Sequence, residues 1–237
     1  MRPSVWTYGL LGVGLGIYIA GFILGRPNAE MTHRSPTWAR MLNSATLVVA
    51  ALVWWRGLAA GTPFAGYAAF IFLGMAFSFV GDLLMARVIP LPAHPIPGIV
   101  AFGVAHVFYI LGCIQIAQAL GATDGRIWAG AVVALEVLGI VLWRTLIYSP
   151  EASPVLAYGA LGYALLLAGT TGAAIALAIQ SPQLIVLAVG AVLFLVSDAI
   201  LGNRLLRGND WFMVGDVVWA IYIAGQSFIV FTLPAVL

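Results

Sequence analysis

Apolar segments of about 20 residues recur along the whole chain, and short polar or Pro/Gly-rich stretches separate them. At a rise of about 1.5 Å per residue, a helix of about 20 residues crosses a hydrocarbon layer about 30 Å thick. Hydrophobic residues make up 63% of the 237 residues and charged residues only 8%, too little polar surface for a soluble globule. The sequence therefore predicts an all-α, polytopic membrane helix bundle, and the lack of sustained polar/apolar alternation argues against a β-barrel.

Eight such segments can be delimited, and they predict a single transmembrane domain over residues 1–237. The predicted spans are Val5–Gly25, Trp38–Trp55, Phe64–Val88, Gly98–Leu120, Arg126–Ile147, Val155–Ile179, Gln183–Leu206 and Trp211–Leu233. We interpret the first as a retained helix rather than a signal peptide, because its apolar core exceeds the usual ~7–15 residues. Four prolines in residues 89–97 prevent a helix from continuing between the third and fourth spans.

The basic residues, all of them arginine, predict the orientation of the bundle. The loops after odd-numbered spans hold Arg26, Arg34, Arg40, Arg87, Arg144, Arg204 and Arg207, and the opposite side holds Arg2, Arg56 and Arg126. Because cytoplasmic loops are enriched in positive charge, we expect an inner or plasma membrane protein with both termini on the non-cytoplasmic side. The net charge is +2 and the basic residues are scattered along the chain, so the sequence does not predict nucleic-acid binding.

Two aspartates lie inside apolar spans. Asp82 interrupts the run from Phe77 to Leu84, and Asp198 follows Ser197 in the seventh span. A carboxylate at this depth is disfavoured by roughly 2.5–3.5 kcal/mol, so each needs a structural or functional reason. Both precede the predicted cytoplasmic ends of their helices by five or six residues, or about 8–9 Å. We therefore expect the two carboxylates to lie in one layer of the membrane.

Other polar side chains reach the same layer. His106 lies about 12 Å into the fourth span, and Asp216 enters the eighth span from the same side. Residues three or four apart share one helix face, and this spacing relates Ser78 to Asp82, His106 to Tyr109, and Tyr222 to Gln226. These side chains would line one pocket if their helices are neighbours.

Structural explanations exist for each of these residues. Asp82 and Asp198 could be interhelical hydrogen-bond acceptors or ion-pair with Arg87 and Arg204, and His106 could be an interhelical donor. Two further carboxylates are interpreted as structural: Asp216 as a solvated or first-turn residue that suits the helix dipole, and Glu136 as a residue without an obvious partner.

Three kinds of hydrolytic site can be weighed against these residues. A zinc site needs several His or Cys ligands, whereas one His lies within the spans and Cys113 is the only cysteine, so no metal is expected. An intramembrane aspartyl protease uses Gly-x-Gly-Asp, but residues 79–82 are Phe-Val-Gly-Asp. A carboxylate pair that performs acid and base catalysis on a lipid requires only one neutral and one ionised Asp.

A set of short motifs, taken in order, resembles the YhhN-like lysoplasmalogenase family of membrane proteins. The motifs are Phe77-Ser78 with Gly81-Asp82, Ala105-His106 with Tyr109, Ser197-Asp198, and Tyr222 with Gln226. The resemblance covers most of the chain and is specific as a set. The sequence departs from the family at Trp38-Ala39-Arg40-Met41, where a Lys-Pro pair is common.

The resemblance implies hydrolysis of the vinyl-ether bond of a lysophospholipid of the lysoplasmalogen type, which releases a fatty aldehyde. It implies that Asp82 and Asp198 are the catalytic acid and base, without a cofactor. It further implies that His106, Tyr109, Tyr222 and Gln226 hold water or the glycerol, that Ser78 and Ser197 orient the carboxylates, and that arginines attract the phosphate. The expected partners are this substrate and membrane lipids. The alternatives are a small proton-coupled transporter or lipid-binding protein with the same Asp pair, and a purely structural bundle.

Overall fold

The computed structural model describes the backbone of residues 5–236 and the side-chain environments of residues 9–234. Within this range the chain forms eight α-helices and no strands. They are α1 (Val5–Leu24), α2 (Thr37–Val53), α3 (Ala65–Met85), α4 (Ile96–Leu120), α5 (Gly125–Leu142), α6 (Pro154–Gln180), α7 (Ile185–Arg207) and α8 (Val214–Val236). One π-helical turn extends α2 through Leu58 and another extends α5 through Ile147. The predicted all-α bundle is therefore confirmed.

Seven of the described helices, α2 to α8, are long and apolar enough to cross a membrane. The described apolar part of α1, Gly9–Leu24, is shorter. The predicted spans match the helices to within a few residues at each end. The end of α3 and both ends of α8 differ by three residues: α3 ends at Met85 rather than Val88, and α8 begins at Val214, because residues 212 and 213 form a turn, and ends at Val236.

Local signals explain where several helices begin and end. Asp124 caps α5 by accepting a hydrogen bond from the backbone N–H of Arg126 (2.8 Å), and Ser153 does the same for α6. Helices α4 and α7 end at Gly121 and Gly208, whose φ values of 69° and 68° lie in the left-handed region that glycine adopts without a Cβ penalty. The ends of these helices can therefore be predicted from residues close to them in the sequence.

Six helices form a closed ring. In order around the ring, α2 packs on α3, α3 on α4, α4 on α6, α6 on α7, α7 on α8, and α8 returns to α2. Helices α1 and α5 pack on the outside of this ring, against α2 and α6 respectively. The interior of the bundle is consequently lined by the six ring helices alone.

Glycines permit close contacts inside the ring. A Cβ on Gly190 of α7 would lie 2.8 Å from the carbonyl oxygen of Gly225 on α8, so the two backbones nearly touch. On α3, a Cβ on Gly74 would lie 2.3 Å from the ring of Tyr109 on α4. The absent side chain on α3 makes room for a tyrosine that belongs to the buried polar network described next.

Candidate active site

Asp82 accepts two side-chain hydrogen bonds inside the ring. It lies on α3, its side chain is 5% exposed, and its Oδ2 accepts hydrogen bonds from Ser44 of α2 (2.5 Å) and Tyr222 of α8 (3.0 Å). Its other oxygen, Oδ1, has no hydrogen-bond partner within the described part of the chain. One carboxylate oxygen thus accepts two hydrogen bonds from hydroxyl groups, and the other accepts none from the described residues.

A chain of side chains extends from Tyr222 deeper into the bundle. Gln226 Nε2 donates to the Tyr222 hydroxyl (3.2 Å), and Tyr109 donates to Gln226 Oε1 (2.8 Å). Ser78 Oγ lies 3.4 Å from the Tyr109 hydroxyl. Because each hydroxyl hydrogen is already committed toward the next group, all donors in this chain point toward Asp82.

Asp198 has its own set of partners. The Tyr163 hydroxyl of α6 donates to Oδ2, and Ser197 Oγ donates to Oδ1 (3.0 Å). The Tyr163 oxygen lies 3.3 Å from His106 Nε2, and Thr170 Oγ1 lies 3.1 Å from His106 Nδ1. A second hydrogen-bonded chain, from α4 through α6 to α7, therefore ends at the second aspartate.

Two phenylalanines pack against both chains. The Phe102 ring contacts the rings of Tyr163 and Tyr222, with centroid separations of 6.5 and 6.1 Å. The Phe194 ring lies 4.8 Å from His106 and 5.2 Å from Tyr222. These aromatic contacts pack the hydrogen-bonded side chains against one another.

Every ring helix contributes to this network, which places Ser44, Asp82, His106, Tyr163, Asp198 and Tyr222 on α2, α3, α4, α6, α7 and α8. Glu136 lies on α5, outside the ring, where its Oε1 would be 3.1 Å from a Cβ on Gly169 of α6. Its position outside the ring separates it from the two aspartates.

Asp216 is neither solvated nor part of the cavity wall. Its side chain is 6% exposed and accepts hydrogen bonds from the backbone N–H groups of Arg34 (2.5 Å) and Ser35 (2.9 Å). It does lie in the first turn of α8, as expected. The carboxylate binds the α1–α2 loop to the start of α8.

A cavity of about 380 Å³ opens at the end of the bundle formed by the α3–α4 and α7–α8 loops and the start of α2. Asp82, Asp198 and Tyr222 lie on its wall. Arg40 and Arg204 also line it, and Arg204 forms an ion pair with Asp210 (2.5 Å). Both aspartates therefore face one polar space that also contains arginine side chains.

A narrow apolar cleft of about 70 Å³ adjoins this cavity between α5, α6 and α7. Its lining is almost entirely hydrocarbon, with Asp198 and Tyr163 as the polar exceptions in its wall. The residues shared by cavity and cleft are Met85, Phe102, Asp198, Leu201 and Leu205. Asp198 thus stands at the junction of a polar and an apolar space, a geometry that suits an amphiphile.

The structure sorts the predicted site residues into two groups. Asp82, Asp198 and Tyr222 reach the cavity, whereas Ser78, His106, Tyr109, Ser197 and Gln226 are fully buried behind its wall. Ser197 contacts its carboxylate as expected. Ser78 does not, because its hydroxyl faces Tyr109 and the hydroxyl that reaches Asp82 is that of Ser44.

Three residues of the network were not predicted from the sequence: Ser44, Tyr163 and Thr170. Tyr163 and Thr170 are seven residues apart, about two helical turns, so they share one face of α6. Ser44 follows Asn43 in the first half of the second predicted span, and both are polar residues in a mainly apolar segment. Both patterns indicate a polar helix face in the sequence, but neither pattern indicates which helix that face contacts.

Among the described residues, no three His, Cys, Asp or Glu side chains come together in a way that could bind a metal ion. The fold and the site define a polytopic α-helical membrane protein with a pair of intramembrane carboxylates. The chain belongs to the YhhN family, whose sequence model matches residues 11–233. Comparison with curated proteins gives no match, and neither does comparison with solved structures.

Proposed function

We propose that the protein is a membrane-embedded hydrolase that cleaves the vinyl-ether bond of lysoplasmalogen-type lysophospholipids. The observation that carries this proposal is the position of Asp198 on the shared wall of the polar cavity and the apolar cleft, with Asp82 on the same cavity. The vinyl ether of such a lipid joins an alkenyl chain to glycerol, so it lies where an apolar group meets a polar one. Membership of the YhhN family agrees with this activity.

Asp82 is proposed as the ionised member of the pair. Ser44 and Tyr222 both donate hydrogen bonds to it, and the donors of the Tyr222–Gln226–Tyr109 chain all point toward it. Hydrogen bonds to a charged group favour the charged form. Its free oxygen, Oδ1, is then available to take a proton from a water molecule.

Asp198 is proposed as the neutral member, and therefore the proton donor. Its chain contains His106, whose two ring nitrogens exchange donor and acceptor roles between tautomers. With Tyr163 donating to His106 instead, the Tyr163 oxygen can accept a hydrogen bond from a protonated Asp198. The apolar cleft beside Asp198 also disfavours a charge there.

The reaction balances between these two groups. Asp198 transfers its proton to the β-carbon of the vinyl ether, and an oxocarbenium ion forms at the adjacent carbon. Water adds to this carbon and gives its proton to Asp82, leaving a hemiacetal. Asp198 then takes the hemiacetal hydroxyl proton while Asp82 protonates the leaving glycerol oxygen. Aldehyde and alcohol are released, and both carboxyl groups return to their starting states.

Other predicted site residues take supporting roles in this proposal. Tyr222 reaches the cavity and is placed to contact the glycerol or the attacking water. Tyr109 and Gln226 act through Tyr222, and His106 acts through Tyr163. The substrate is a lysophospholipid drawn from the surrounding membrane, and the Arg distribution predicts that the cavity opens toward the cytoplasm.

The decisive experiment measures aldehyde release by mass spectrometry from vinyl-ether and ester lysolipids with purified protein. Asp82→Asn and Asp198→Asn should each reduce release from the vinyl-ether lipid by at least about 100-fold, because each removes an acid or base from the reaction. Glu136→Gln is the matched control, since it neutralises an intramembrane carboxylate outside the ring. Wild-type rates in either Asp variant would contradict the proposal.

A small proton-coupled transporter is the competing function, and the two buried hydrogen-bonded chains that end at carboxylates favour it as a possible proton route. In that case proteoliposomes would accumulate a polar solute in response to a proton gradient, and purified protein would release no aldehyde. The same two Asp variants would abolish uptake.

A further inference from the structure

Arg40 is a cation with unused hydrogen-bonding capacity inside the cavity. It lies in the first turn of α2, lines the cavity, and its buried Nε has no hydrogen-bond partner within the described residues. Arg204, the other arginine of the cavity, is already held, since its Nε donates to Asp210 and its Nη2 lies 3.3 Å from Thr32 Oγ1. Arg40 is therefore the arginine available to a ligand.

The neighbouring carboxylates do not use this capacity. Asp82 is within electrostatic range of Arg40, but its hydrogen bonds come from Ser44 and Tyr222. Asp216 is also within electrostatic range, yet both of its oxygens accept backbone N–H groups of the α1–α2 loop. A buried guanidinium nitrogen without a partner is costly, and an anionic ligand would satisfy it.

We propose that Arg40 binds the phosphate of the lysophospholipid and so orients the substrate in the cavity. This inference rests on the proposed function. A guanidinium presents paired N–H donors that match two phosphate oxygens, which makes it suited to this group. With the phosphate at Arg40 and the alkenyl chain entering the apolar cleft, the vinyl ether would lie near Asp198, which belongs to the wall of both spaces, in the cavity that Asp82 also lines.

The test compares two vinyl-ether substrates that differ only in the phosphate: a lysoplasmenylethanolamine and the matching 1-alkenylglycerol. Arg40→Gln should lower kcat/KM for the phospholipid by about 10- to 100-fold, as expected for loss of charge-assisted hydrogen bonds. The loss on the alkenylglycerol should be at most a few-fold. Arg40→Lys keeps the positive charge but lacks the planar pair of N–H donors. Its kcat/KM for the phospholipid should therefore lie between the values for Arg40→Gln and wild type.

Arg144→Gln serves as the control, because Arg144 is exposed on the same end of the bundle and lies outside the cavity lining. Arg144→Gln should leave kcat/KM for both substrates at the wild-type value. Equal losses on the two substrates in Arg40→Gln, or no loss on the phospholipid, would overturn the inference. Glycerophosphoethanolamine and inorganic phosphate are added as competitors, and inhibition by the first alone identifies a headgroup site rather than a free-phosphate site.

A binding measurement separates this inference from the proposed reaction. Native mass spectrometry with a 1-alkyl lysophospholipid, whose saturated ether cannot be hydrolysed by this route, reports phosphate recognition without catalysis. Preferential binding of this lipid over 1-alkylglycerol, lost in Arg40→Gln, would support the anion site even if no aldehyde is formed from any substrate. Equal binding of the two lipids by wild type would exclude it.

Discussion

The Tyr163 hydroxyl donates a hydrogen bond to Asp198 across the interface of α6 and α7. The same hydroxyl oxygen lies 3.3 Å from His106 Nε2, so a histidine on a third helix is connected to the carboxylate through the tyrosine. His106 itself is fully buried and does not reach the cavity. In the proposed reaction its influence on a substrate is transmitted by Tyr163, and we therefore expect Tyr163 to position Asp198.

Tyr163→Phe keeps the ring packing on Phe102 and removes the hydroxyl. We expect kcat for aldehyde release to fall about 10- to 100-fold, since a hydrogen bond to a carboxyl group is lost, while KM changes little. The pH profile of kcat should also change, because the environment of the proton donor is altered. Tyr158→Phe, on the exposed side of the same helix, is the control. A wild-type kcat and pH profile in Tyr163→Phe would show that the bond is structural.

Aldehyde formed in deuterated water should carry one deuterium on the carbon next to the carbonyl. The reason is that the proposed first step transfers a solvent-exchangeable proton from Asp198 to that carbon. The aldehyde is reduced to the alcohol as it forms, which prevents later exchange, and mass spectrometry counts the label. Product without deuterium at this carbon would exclude protonation of the vinyl ether.

Ala164→Leu adds bulk to the apolar cleft beside Tyr163. We expect kcat/KM for substrates with long alkenyl chains to fall about tenfold, with a smaller loss for short chains, because a long chain places more methylenes in the narrowed cleft than a short chain does. The control is Ala129→Leu, an exposed position on α5. A loss that is the same for every chain length would indicate general damage rather than a blocked chain site.

Gly74→Ala should destabilise the bundle by about 1–3 kcal/mol, because the new Cβ would lie 2.3 Å from the Tyr109 ring and overpacking of this kind carries that cost. Displacement of Tyr109 also breaks its hydrogen bond to Gln226. Thermal unfolding in detergent measures the effect, with Gly130→Ala as a control at a glycine that has open space around its Cβ. In a Tyr109→Ala background, which removes the ring that the new Cβ would contact, Gly74→Ala should no longer lower the unfolding temperature through this contact. An unchanged unfolding temperature in Gly74→Ala would contradict the tight contact.

Asp216→Asn should lower the unfolding free energy by about 1.5–3 kcal/mol. The asparagine amide keeps one oxygen that can accept a hydrogen bond. Its NH₂ group replaces the other oxygen and faces a backbone N–H of the α1–α2 loop, so two donors meet and one hydrogen bond is lost. Glu151→Gln, at an exposed carboxylate, should leave stability unchanged. Stability equal to wild type in Asp216→Asn would show that the loop is held by other contacts.

The sequence by itself determined the membrane class, the number of helices and their approximate ends. Hydropathy over about 20 residues is a local property, and so are capping residues such as Asp124 and terminal glycines such as Gly121. The polar faces carrying Asp82, His106 and Tyr222 were also visible, because residues three or four apart lie on one side of a helix. None of these signals depends on which helix lies beside which.

Tertiary structure alone decided how those faces meet. The ring passes directly from α4 to α6 and leaves α5 outside, which excludes Glu136 and brings in Tyr163. Its closure by α8 against α2 and α3 lets Ser44 and Tyr222 share one oxygen of Asp82. Lateral order in a bundle depends on side-chain packing between distant segments, which hydropathy and helical periodicity do not encode. For that reason the helix faces that carry the polar side chains were predictable, whereas the hydrogen-bond partners of the two aspartates were not.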